Sequence, residues 1–335
     1  MKRIKRISQA GLMVLLLMAG AAPAAAQDFW GFKPPEGWLP PPLNPTGAKL
    51  VTKEISPGVY ALLSTKLGVD NSGFVVGERG VLVIDAHVNG AMARQIQAAV
   101  RKVTAKPIVY LVNTNFHGDH TFGNYAFPPE TVIIAHRKTA ERMRDFEHEK
   151  KLLLQTVDND ATVFADVKLR LPDVVFDDYL RIDLGGRIVE LHHFGHGNTP
   201  GDTVVYAPAA KAAWTGNLVL GEGTFPWLIE GRAGAYLNTI ARFSGTLDVE
   251  TIVPGHGVMT SGAILSRYLR YLGELIHSVQ KAAGAGHTVE ETLARTSLGE
   301  KYLVPADSPL APLRPLMAGF HRWNVKRVYL ELNGR

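Results

Sequence analysis

Asn113-Thr114-Asn115-Phe116-His117-Gly118-Asp119-His120 follows a short apolar run, residues 108–112, whose length and content fit a buried strand. Two imidazoles and a carboxylate within four residues, placed where a strand empties into a loop, can converge on one metal ion without distant chain, and zinc suits them. The competing reading is a polar loop carrying two solvated histidines. Upstream, residues 51–55, 58–64, 72–76 and 81–84 read as short strands, the last two separated by the turn Gly77-Glu78-Arg79-Gly80. Helical periodicity then runs over 90–103, with Met92, Ile96, Ala99 and Val100 forming an apolar stripe. Strand, helix, strand in this order is a βαβ unit with a parallel crossover. Its loop at the strand's C-terminal end carries the histidines, where open α/β sheets place their sites.

The pattern continues more loosely. Strands are expected at 132–135, 179–182, 188–192, 203–206, 212–215 and 251–253, with helices over 138–154, 262–283, 289–296 and 313–332. No domain boundary stands out, so residues 47–335 read as one α/β domain with two sheets between helices. The apolar stripe of the last helix must cover either the body or a second copy of the chain, which leaves a homo-oligomer open.

The N-terminus carries Lys2, Arg3, Lys5 and Arg6, an apolar core over 10–20, and Ala24-Ala25-Ala26 before Gln27. This is the pattern of a secretory signal over residues 1–26, its apolar run being short for a membrane span. A periplasmic or secreted protein with no stable membrane anchor is expected. Losing those four cations and no acids takes the formal charge from +5 to about +1, so nothing basic remains to argue for nucleic acid. With no cysteine, the chain has neither disulfides nor a thiolate metal ligand. Residues 27–46 hold six prolines with Trp30 and Trp38, and should run extended over the surface, pinned by the tryptophans.

Four loops at expected strand ends are unusually polar: 115–120, 192–202, Thr215-Gly216-Asn217 and Pro254-Gly255-His256-Gly257. On these motifs, in this order, the sequence resembles the metallo-β-lactamase superfamily over residues 50–260. The resemblance implies a four-layer αβ/βα sandwich of two mixed β-sheets flanked by helices. It also implies that three ligand positions have changed. Asn115 stands where the first motif has its leading histidine, Asn198 where the second has its histidine, and Asn217 where a bridging aspartate is usual.

A first metal position would then rest on Asn115, His117 and Asn198, and carboxamides are poor zinc ligands. A second keeps Asp119, His120 and His256. One zinc per chain is the expectation, although two histidines and a carboxylate also suit iron. His193 or His196 could restore the first position if the loop swings either ring into the place that Asn198 leaves. Asp85 resembles an aspartate that holds a ligand histidine by its other ring nitrogen, the alternative being a helix N-cap.

The function implied is hydrolysis of an ester, lactone, amide or β-lactam-like bond in a small molecule, with a metal-activated water. Asp119 would orient the water and His117 would move a proton or stabilise the oxyanion. Asn115, Asn198 and Asn217 would bond the substrate, while Phe225 and Trp227 would form an apolar wall or pack in the core. Two other readings stand beside this one: a non-catalytic binding protein on a degenerate metallohydrolase frame, and iron-dependent oxidation at the same triad.

Overall fold

The computed structural model describes residues 32–36, 38–296 and 298–334; the expected signal over 1–26 and the start of the proline-rich segment, with Trp30, lie outside these. The described residues from 35 onward form one compact unit.

Seven strands form the first sheet in sequence order: β1 (Leu50–Ser56), β2 (Val59–Ser64), β3 (Ser72–Val76), β4 (Val81–Ile84), β5 (Ile108–Asn113), β6 (Val132–His136) and β7 (Val174–Phe176). The first four run antiparallel, and β4 through β7 are parallel. The change of direction follows from α1 (Gly90–Val103), which returns the chain from the end of β4 to the start of β5. Asn89 caps α1 by accepting from the Met92 amide, and Ala93, Ile96 and Val100 are buried on its inner face.

Within β4 the side chains alternate as a pleated strand requires. Val81 and Val83 pack with α1, whereas Leu82 and Ile84 enter the layer between the sheets. The second sheet has the order β13-β12-β11-β10-β9-β8, comprising β8 (Tyr179–Asp183), β9 (Ile188–His192), β10 (Val204–Ala207), β11 (Ala212–Trp214), β12 (Thr251–Val253) and β13 (Thr260–Ser261). Only its β11–β12 pair is parallel. Leu191, Val205, Trp214 and Val253 meet Ile84, Val112 and Ile134 across the layer, so the expected pair of mixed sheets flanked by helices is the fold. Gly73 is required there, because a Cβ at that position would collide with the Trp214 indole.

The helices after β5 are α2 (Gly118–Thr121), α3 (Arg137–Arg142), α4 (Phe146–Leu153), α5 (Ala233–Thr246), α6 (Ile264–Gly284), α7 (Val289–Arg295), α8 (Leu298–Tyr302) and α9 (Arg314–Leu332). The single helix expected over 138–154 is two, α3 and α4, broken at 143–145. The proline-rich segment is held as expected of Trp38, whose ring lies 5.6 Å from Trp323 and 6.2 Å from Trp227. The Leu43 amide also donates to the Thr156 carbonyl at 2.8 Å. Among the described residues no helix is long and apolar enough to cross a membrane.

Candidate metal centre

The centre is assembled from loops at one end of the two sheets. Asp85 leaves β4 with φ 61°, a left-handed conformation that costs energy in a residue with a side chain. Its carboxylate accepts from the Thr114 amide at 2.8 Å and hydroxyl at 2.7 Å, tying the end of β4 to the exit of β5. The same carboxylate lies 2.9 Å from His120 Nδ1. That contact places the proton on Nδ1 and turns Nε2 inward, as metal-binding histidines are commonly held. Asp85 is not a helix cap; Asn89 has that role.

The single turn of α2 delivers Asp119 and His120, both buried. His256 Nε2 is 3.2 Å from Asp119 Oδ2, while its Nδ1 faces the Gly68 carbonyl at 2.7 Å. A fourth residue joins them. Asp70 Oδ1 lies 3.2 Å from His256 Nδ1 and 3.7 Å from His120 Nε2, and one ligand atom from each of Asp70, Asp119, His120 and His256 lies within 4.8 Å of the others. Both oxygens of Asp70 and Oδ1 of Asp119 are buried without a hydrogen bond. Carboxylates are seldom left so.

Electrostatics agree with this crowding. Burial and the neighbouring Asp119 push the Asp70 carboxyl well above its ordinary value, against the pull of His120. Burial would raise Asp119 too, but His120 and His256 hold it below the usual carboxylate range. Burial alone would lower His120, yet Asp85, Asp119 and Asp70 raise it well above 6.5. Two adjacent buried carboxyls cannot both carry charge cheaply without a cation between them. The four residues therefore fit a divalent ion by donor type, burial and unbonded oxygens.

Two further residues fix Asp70. His87 is fully buried with φ 68°; its Nδ1 accepts from the Val88 amide at 3.0 Å, so its Nε2–H donates to the Asp70 carbonyl at 3.2 Å. Burial lowers the pKa of His87 to about 3, keeping it a neutral donor. Asn71 donates to the carbonyls of Pro254 at 3.0 Å and Gly257 at 2.8 Å, and accepts from the Ser64 amide. It thereby pins the His256 turn to the first sheet.

The positions expected to form a first metal site do not join the group. Asn115 Oδ1 accepts from the His117 amide at 2.9 Å, folding onto its own loop. Asn198 donates to the Trp227 carbonyl at 2.8 Å, and its buried Oδ1 has no hydrogen bond. His117 Nδ1 lies 3.0 Å from Glu149 Oε1, which also accepts from the Gly118 amide. Asn217 does face the group, its Oδ1 3.0 Å from His120 Nε2.

Neither His193 nor His196 replaces Asn198. His193 stacks on His136 at 3.9 Å with Nδ1 on the Asp202 carbonyl, and His196, whose Nε2 is buried without a hydrogen bond, is not among the four residues that gather at the metal group. Of the two readings of Phe225, wall or core, the structure has the core one: it is wholly buried and stacks on Tyr271. Trp227 is likewise packed, against Phe320 at 4.3 Å with Trp38 and Trp323 beside it.

Sequence reasoning missed Asp70 and Glu149. Asp70 was within reach, because β3 is antiparallel to β4 with Gly73 opposite Ile84, so the residues entering β3 must lie beside Asp85. Glu149 sits 32 residues beyond His117 on α4, with nothing local to mark it.

A sequence model of the metallo-β-lactamase superfamily matches residues 65–256. The chain belongs to that superfamily. Solved structures with the same fold include a metallo-β-lactamase from Pontibacter korlensis, 20% identical with a TM-score of 0.55, covering 67% of this chain and 99% of that one. Another is the stereoselective inverting sec-alkylsulfatase Pisa1 from Pseudomonas sp., 17% identical with a TM-score of 0.61, covering 84% of this chain and 50% of that one. Identities this low establish the fold. Superfamily membership makes the chain a member of a hydrolase family that typically binds divalent metals and acts on small molecules. The helices from α6 onward lie beyond the matched residues, yet they reach back to the segment that holds Asn198. Asn324 of α9 accepts from the Leu228 amide and donates to the Pro226 carbonyl, on either side of the Trp227 carbonyl that holds Asn198.

Proposed function

We propose that this protein is an exported, single-zinc hydrolase of an ester, lactone, amide or β-lactam-like bond. The observation that carries the reading is the pair of buried carboxylates, Asp70 and Asp119, gathered with the rings of His120 and His256, both oxygens of Asp70 and Oδ1 of Asp119 having no hydrogen bond. Asp119, His120 and His256, joined by Asp70, would hold the ion. A divalent ion in such a setting activates water and polarises the oxygen that becomes anionic.

The chain's own residues supply the rest. Asp85 keeps the proton of His120 on Nδ1, so that Nε2 stays directed into the group. His117 stands two residues before Asp119, steadied by Glu149, and is the side chain suited to move a proton to or from the reacting group. The half-buried Asn217 borders the group at His120, and its amide can bond a substrate N–H or O–H.

The test is metal per chain by plasma mass spectrometry, with Asp119→Ala beside the wild type. About one zinc per chain, lost in the control, supports the reading and opens a screen of esters, lactones and β-lactams. Iron instead would redirect the screen to oxidation. A chain that takes no metal after reconstitution is a binding protein on this frame.

A further inference from the structure

We propose that Asp70 is itself a metal ligand and that it supplies, from a different loop, the carboxylate that the strand end at Asn217 lacks. This inference rests on the single-metal reading above and names the origin of the site's second negative charge.

Asp70 and Asn217 both aim a side-chain oxygen at one atom. Asp70 Oδ1 is 3.7 Å from His120 Nε2 and Asn217 Oδ1 is 3.0 Å from it. One is a carboxylate and the other a neutral amide, so only the first can balance charge on a cation. Asp70 is 1% exposed and neither of its oxygens has a hydrogen bond, although Oδ1 lies 3.2 Å from His256 Nδ1, so a carboxylate is held among ligand-type atoms where a cation would satisfy it. Its backbone is nevertheless held with care. His87 donates to its carbonyl, and the next residue, Asn71, bonds the turn that carries His256.

The two loops are also mechanically joined. The Asn71 amide donates to the Gly255 carbonyl at 2.6 Å, and the Gly255 amide donates to the Gly216 carbonyl at 2.9 Å. Asp70, His256 and Asn217 thus belong to one hydrogen-bonded run of backbone. Asp85 is already committed to Thr114 and His120, so Asp70 and Asp119 are left as the two anionic donors, which together neutralise one dication. An aspartate at 217 in addition to these would place a third carboxylate on a single ion. A carboxylate at 70 and one at 217 are therefore alternatives.

The test uses the full chain and Zn2+ alone, measuring stoichiometry by mass spectrometry, affinity by competition with a chromophoric chelator, and melting with and without zinc. Wild type binds one zinc. Asp70→Asn binds it at least about 100-fold more weakly, and the double variant Asp70→Asn with Asn217→Asp returns to within about 10-fold of wild type. In chelator, Asp70→Asn melts no lower than wild type, because it removes a buried carboxyl whose charged form burial and the neighbouring Asp119 disfavour.

If Asp70→Asn keeps wild-type affinity while Asp119→Ala loses zinc, Asp70 is no ligand and the proposal is wrong, with the metallohydrolase reading intact. If the double variant binds no better than Asp70→Asn, the charge cannot be supplied from 217 and the exchange is refuted. Lower melting of Asp70→Asn in chelator would show a structural role instead. A wild type that binds no zinc overturns both this inference and the function on which it rests.

Discussion

His117 and Glu149 form a buried carboxylate–imidazole pair at 3.0 Å. Burial alone would lower the His117 pKa, but the Glu149 charge raises it above its ordinary value. A histidine whose folded pKa is raised adds stability that is fully present below the unfolded value of about 6.5 and fades as pH rises through the folded value. Glu149→Gln should therefore destabilise the metal-free protein by about 3 kcal/mol at pH 6, with a smaller loss at higher pH, in urea melts across that range. Zinc content should stay at one per chain, while turnover of the substrate found by screening falls on the order of 10- to 100-fold. His87 permits a separate test. Its Nδ1 accepts a backbone amide while its Nε2 holds the Asp70 carbonyl, in a left-handed backbone conformation. His87→Ala should weaken zinc binding about 10-fold in a chelator competition, since ligand supports commonly contribute that much.

Among the elements, α9 shows how a packing helix can control a distant loop. Asn324 is fully buried and bonds both sides of residues 226–228, and Trp323 Nε1 donates to the Leu228 carbonyl at 2.8 Å. Asn324→Leu strands a buried amide and carbonyl and should cost about 2–4 kcal/mol in urea unfolding. Trp227→Ala should act as a core truncation, costing about 3–5 kcal/mol, with loss of stability outweighing any change in KM. The strand–helix–strand order from β4 to β5 was legible because Met92, Ile96, Ala99 and Val100 repeat at helical spacing and the strands are short apolar runs. Helix α5 was not. Gly234 and Gly245 dilute its pattern, and one of its buried positions is Thr239, so its stripe of Tyr236, Ile240 and Phe243 carries little periodic signal. At the site, Asp119, His120 and His256 could be read from their loops, whereas Asp70 needed the antiparallel pairing of β3 and β4. Asn198 and Asn115 could be seen to be poor ligands, but not what they bond instead: Asn115 folds onto the His117 amide of its own loop, and Asn198 reaches the Trp227 carbonyl from chain far away in sequence.

For the whole molecule, two sheets meet over an apolar layer, and the metal group lies where their loops face each other. An ion bound there stabilises only the folded chain. Zinc at about 100 times its dissociation constant should add about 2.7 kcal/mol and raise Tm on the order of 5 °C, an increase that chelator reverses. If the chain is exported as proposed, N-terminal sequencing of protein recovered outside the cytoplasm should begin at Gln27. Residues 70 and 256, both in the metal group, are joined in space by Asn71, which grips the Pro254–Gly257 turn from the first sheet. The complete four-residue group, with Asp70 and His256 added to the local pair Asp119 and His120, exists only once both sheets have formed and docked. A chain threaded unfolded through a membrane would travel without its metal and acquire it at its destination, as the last act of maturation.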